Sequence, residues 1–124
     1  MSDASWQSYR DPRVAAVVAG VPYAADFDMA SLATPPIPLG LVTAGQDRWL
    51  VPRFHSGAVL AACKPCERVA DVSSGRHGAL LSPFPPRLGG LVAELLEDPP
   101  GFDRRILPEI DAKIVAFFRR HLIP

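Results

Sequence analysis

The sequence predicts an α/β fold, a three-stranded, mostly parallel sheet with flanking helices. Three observations carry this. Two short apolar runs, Val14–Val21 and Leu39–Ala44, end at the turn residues Pro22 and Gly45, as strands covered on both faces of a parallel sheet do. Between the second run and a third, Cys66–Val72, lies a segment of helical period, and strand, helix, strand requires a crossover and so a parallel pair. The chain closes on an amphipathic helix whose apolar stripe needs a sheet face to cover it.

The run at 14–21, Val-Ala-Ala-Val-Val-Ala-Gly-Val, is readable as a short helix by periodicity alone, but its length and valine content favour a strand. Residues 23–37 carry Asp26, Asp28, Ser31, Thr34, Pro35 and Pro36, with Pro38 next, and read as a loop with one helical turn at Phe27–Leu32. Leu39–Ala44 is the second strand, and Gly45 opens the turn that carries Asp47. From Pro52 the period changes: Phe54, Ala58, Val59, Ala61 and Ala62 share a helical stripe, with Pro52 tolerated in the first turn. This helix ends near Cys63 or Lys64, because Pro65 disfavours helical geometry in the residue before it. Cys66–Val72 is shorter and more polar, which suits a strand near a sheet edge. After His77 comes a proline-rich loop, then Leu88, Leu91, Val92, Leu95 and Leu96 at helical spacing, stopped by Asp98-Pro99-Pro100-Gly101. In the last helix Ile110, Ile114, Phe117 and Phe118 line one face. Glu109 and Asp111 sit in its first turn, and Arg119, Arg120 and His121 complement the dipole at its end.

At 124 residues the chain has the size of one domain. Residues 1–13 form an N-terminal segment, 14–78 the strands and crossover helix carrying Asp47 and His77, and 79–124 a loop and the C-terminal helices. Thirteen basic residues balance thirteen acidic ones with no run of either sign, so the basic footprint of a nucleic-acid binder is missing. Asp3, Arg10, Asp11 and Arg13 break up the first twenty residues, leaving no apolar stretch of signal or membrane length; the expectation is a cytoplasmic chain without membrane contact. The fourteen prolines cluster at the edges of the apolar runs, where a fixed φ and a missing N–H do least harm. With 48% hydrophobic residues the composition is that of a globular chain.

Asp47 lies in Ala-Gly-Gln-Asp-Arg-Trp-Leu-Val-Pro (44–52) and His77 in Ser-Ser-Gly-Arg-His-Gly (73–78). Taken singly, the Asp is a turn residue that caps the following helix and the His is part of a flexible connection. Together they lie just beyond two predicted strand C-termini, where α/β sheets place their sites. An imidazole, with an unperturbed pKa of about 6.5, both accepts and donates a proton near neutrality, and a buried carboxylate fixes its tautomer. Cys63-Lys64-Pro65-Cys66 invites a zinc or redox reading, but the pair sits at a helix C-terminus, where the dipole does not favour a thiolate, and no second Cys pair exists to complete a metal site. No metal or cofactor is expected. His55 and His121 are explained by capping or solvent exposure. Ser73 and Ser74 lie on the passage into the His loop and make improbable nucleophiles; Arg48 and Trp49 follow the Asp where they can line a pocket mouth, though a loop Trp more commonly packs over the adjacent helix.

These residues resemble the α/β-hydrolase family, and within it the dienelactone-hydrolase-like group, across nearly the whole chain. The resemblance runs through Asp11-Pro12-Arg13-Val14 leading into a strand that ends at a proline, the Gly-x-Asp turn at 45–47, the helix after Pro52 and the His loop. It continues in Asp-Pro-Pro-Gly-Phe-Asp-Arg (98–104) before a final Phe-Phe helix. It implies that the chain corresponds to the C-terminal half of such a fold, that Asp47 orients His77, and that His77 takes the nucleophile's proton and returns it to the leaving group of a small ester or lactone. The acid-then-histidine order puts a serine or cysteine earlier in the chain. No Gly-x-Ser-x-Gly or Gly-x-Cys-x-Gly occurs in this sequence, so the expectation is a hydrolase fragment that is inactive alone. Gly78 stands where relatives tend to carry an aromatic. The strand at 14–21 would lack a neighbour, so the expected partners are an N-terminal hydrolase half or a second copy. A non-catalytic interaction module that dimerises or binds a partner through this strand edge is the other reading.

Overall fold

The computed structural model describes residues 9–81 and 89–124. Three strands, β1 (Val17–Gly20), β2 (Leu39–Ala44) and β3 (Glu67–Val72), form one sheet in the order β1-β2-β3, and both pairings are parallel. Helix α1 (Ser56–Ala62) crosses from β2 to β3; α2 (Gly90–Leu96) and α3 (Leu107–Leu122) follow. The fold is the α/β arrangement expected from the apolar runs.

The central strand explains the layering. Successive side chains of β2 point to opposite faces. Leu41 packs with Ala24 and Val59, against which Met29, Leu32 and Leu60 lean, so the β1–β2 connection and α1 cover one face. Val42 packs with Val69, Val72, Ile110 and Phe117, so α3 covers the other. Within the connection, hydrogen bonds from Ser31, Leu32 and Ala33 to the carbonyls three residues back form the helical turn placed at Phe27–Leu32. In β3 the pairing slips between Leu41↔Arg68 and Val42↔Ala70; this bulge lets consecutive residues Val69 and Ala70 both be buried.

Several boundaries differ from expectation for identifiable reasons. The first strand spans Val17–Gly20 rather than Val14–Val21, and its residues are half-buried or exposed because β1 is a sheet edge, not an interior strand. Val21 ends it with φ of 45°, an uncommon conformation for a β-branched residue, held by burial and by its N–H donating to the Val42 carbonyl at 2.9 Å. Phe54 belongs to a 3-10 turn (Pro52–Phe54) and is exposed beneath Arg53, so the buried side of α1 runs through Ser56, Val59 and the capping Cys63 rather than through Phe54 and Ala61. Leu91 and Val92 of α2 are 66% and 52% exposed, so that stripe is not core among the described residues; Leu88 and Pro83–Pro86 lie outside them. The α3 stripe is as read: Ile110 and Phe117 are buried, with Ile114 and Phe118 packed beside them. No helix among the described residues is long and apolar enough to cross a membrane.

Candidate functional site

Both predicted site residues sit where the sheet ends. β2 stops at Ala44, β3 at Val72, and the loops that follow are joined by backbone hydrogen bonds: Gly45 N–H donates to Val72 O at 3.0 Å and Gln46 N–H to Gly75 O at 2.9 Å. A Cβ on Gly45 would overlap the Ser73 backbone, so only glycine permits the approach. This seam brings residues thirty apart in sequence into contact.

His77 Nδ1 and Asp47 Oδ2 lie 2.9 Å apart, with the Asp47 side chain fully buried and that of His77 25% exposed. The other carboxylate oxygen, Oδ1, accepts the Trp49 and Leu50 backbone N–H groups, each at 2.9 Å. Asp47 is therefore both the turn residue and the partner of the histidine, one oxygen to each. Since a carboxylate accepts, the hydrogen lies on His77 Nδ1, and Nε2 presents a lone pair when the ring is neutral. Among the described residues nothing hydrogen-bonds Nε2, and a quarter of the His77 side chain is exposed.

His77 opens a 3-10 turn (His77–Leu80) with no side-chain cap. Its next residue, Gly78, is buried against the last turn of α2, and any Cβ there would overlap the Leu96 carbonyl. The aromatic that the resemblance suggests at this position would not fit this packing. The loops shape a cleft of about 180 Å3 lined by Arg48, Trp49, Arg76 and Glu94, which places Arg48 and Trp49 at a pocket mouth as expected. A larger cleft of about 340 Å3, lined by Pro36, Ile37, Pro65 and Phe117, lies around the start of β2 and β3, at the opposite end of the strands from the dyad.

The other candidates fall elsewhere. His55 is buried at the start of α1, and its Nδ1 accepts the Ala24 backbone N–H at 3.1 Å, a tie between α1 and the loop after β1. This buried acceptor role replaces the expected capping or exposure. Beside it, the Ser56 hydroxyl is buried without a hydrogen-bond partner among the described residues. His121 packs on the Phe117 ring at 4.6 Å. Cys63 and Cys66 are joined by a disulfide, Cα–Cα 5.4 Å, that fastens the end of α1 to the approach to β3. Ser73 and Ser74 are exposed, with Ser73 against Gly45 through its backbone.

Comparison with protein-family models, curated proteins and solved structures finds no match for this chain.

Proposed function

We propose that this chain supplies the acid and the histidine of a serine or cysteine ester or lactone hydrolase of the dienelactone-hydrolase-like kind, as its C-terminal portion, and that it is inactive by itself. The observation that supports this reading is the Asp47–His77 contact at 2.9 Å, beyond the C-terminal ends of adjacent parallel strands, with no hydrogen bond to Nε2 among the described residues. In such a reaction Nε2 takes the proton of a hydroxyl or thiol as that group attacks the acyl carbon. The imidazolium then protonates the departing alcohol, and Asp47, whose oxygens also accept the Trp49 and Leu50 N–H groups, keeps the ring in register.

The nucleophile and its oxyanion donors would come from an N-terminal hydrolase half, reached through the β1 edge. Hydrolysis of an activated ester such as p-nitrophenyl acetate tests the reading. The chain alone should match its His77→Ala variant, and addition of an upstream segment carrying a nucleophile should give turnover that His77→Ala abolishes. A His77-dependent burst from the chain alone would overturn it.

A second reading, a non-catalytic module that dimerises or binds a partner, is favoured by one observation. Among the described residues, β1 pairs only with β2 and leaves its other side without a strand.

A further inference from the structure

The segment Asp98–Arg104 takes no direct part in the dyad, yet it folds back on the turn that carries His77. Arg104 Nε donates to Asp98 Oδ2 at 2.5 Å and Nη2 to Oδ1 at 3.0 Å, a bidentate pair, while Nη1 donates to the Leu81 carbonyl at 2.6 Å. Both side chains are largely shielded, 22% and 28% exposed. The chain's other short-range arginine pairs differ in kind. Arg13–Asp11 and Arg105–Asp103 link residues two apart on the open surface, where the arginine's hydrogen bonds lower the carboxyl's pKa without joining separate segments.

Leu81 immediately follows the His77–Leu80 turn, and its own N–H donates to Gly78 O at 3.0 Å. Within the turn, Ala79 is buried in the core with Leu80 packed beside it, and Ala79 N–H donates to Arg76 O at 3.0 Å, but there is no side-chain cap. Its start is fixed by the seam to the Asp47 loop and its middle by Gly78 seated on Leu96, two residues before Asp98. Its end is fixed by Arg104. A guanidinium offers donors in one rigid plane, so the carboxylate that grips two of them also aims the third at Leu81; a lysine ammonium has no such plane.

We propose that Arg104, oriented by Asp98, is a positioning residue for His77, holding the far end of its turn so that Nδ1 meets Asp47. The inference builds on the dyad reading but concerns the geometry of the ring, so it is measured without any turnover. In the full chain labelled with 15N, the His77 Nδ1–H proton hydrogen-bonded to Asp47 should give a downfield, slowly exchanging resonance. Arg104→Met should abolish that resonance while amide signals of β2 and α3 keep their wild-type positions. Arg104→Lys should restore it only in part, and Arg105→Met, which removes the neighbouring arginine paired with Asp103 on the open surface, should leave it intact. An unchanged resonance in Arg104→Met, or an equal loss in Arg105→Met, overturns the assignment. If Arg104→Met fails to fold, Asp98→Asn decides by the same reading: a weakened, faster-exchanging resonance supports the clasp, and a wild-type one refutes it. Absence of esterase activity in a complemented enzyme would strike the hydrolase reading and leave this signal where it is.

Discussion

The two outer strands of this sheet are built to opposite specifications. β3 hides Val69, Ala70 and Val72 beneath α3 and turns Glu67, Arg68 and Asp71 outward; Arg120 reaches from α3 to grip both Glu67 oxygens at 2.6 and 2.7 Å, and Asp71 accepts the buried Thr43 hydroxyl. β1 carries no charge between Val17 and Gly20, and none of its residues is fully buried. A charged edge resists pairing with foreign chains, whereas an uncharged apolar one invites it. The contrast is that β3 is guarded as a boundary by charge and β1 is not.

The largest expected effect lies on the guarded side. Phe117 is 1% exposed and seals β2 and β3 beneath α3, so Phe117→Ala should cost about 3–5 kcal/mol through lost burial and a residual cavity. Thermal or denaturant melting measures it. A loss below about 1 kcal/mol would mean that α3 is not what closes this side, and the comparison would fail at its stronger pole.

Much of that side was legible in sequence. The α3 stripe and Leu39–Ala44 are full-length signals, because each element buries one continuous face or both faces over its whole run. The β1 limits were not: Val14 and Ala15 look like strand residues but are exposed, and among the described residues β1 has no strand beyond it. At the site, Asp47 and His77 could be paired from their positions after two strands. That Asp47 divides its oxygens between the turn and the ring, and that Arg104 holds Leu81, depend on contacts across the fold that carry no periodicity. The same holds for His55, whose buried bond to Ala24 joins residues thirty-one apart and leaves no mark on local pattern.

A middle-sized effect separates the strands covalently. The Cys63–Cys66 disulfide pins the approach to β3 to α1, and β1 has no such fastening. In the chain-entropy account, closing so short a loop contributes about 2 kcal/mol. Reduction, or Cys63→Ser with Cys66→Ser, should therefore lower Tm by about 8 °C, since in a chain of 124 residues a kcal/mol moves Tm by about 4 °C. Calorimetry with and without reductant reads the difference. Identical melts would show that burial of Val59 and Cys63 already secures α1, and that the bridge adds no constraint to the β3 side.

The smallest effect on stability should carry the largest change in assembly. Val17 is half-buried, pairs with Leu39 and belongs to neither core cluster, so Val17→Lys should cost no more than about 1 kcal/mol. The lysine would give β1 the same protection that Glu67 and Arg68 give β3, since a charge on an edge must be desolvated before another strand can pair there. Light scattering over a range of concentrations should find the wild-type chain self-associating or aggregating and Val17→Lys monomeric, with similar melts. A wild-type chain that stays monomeric and melts cooperatively would show that β1 is a tolerated edge. The difference between the strands would then be one of local composition alone.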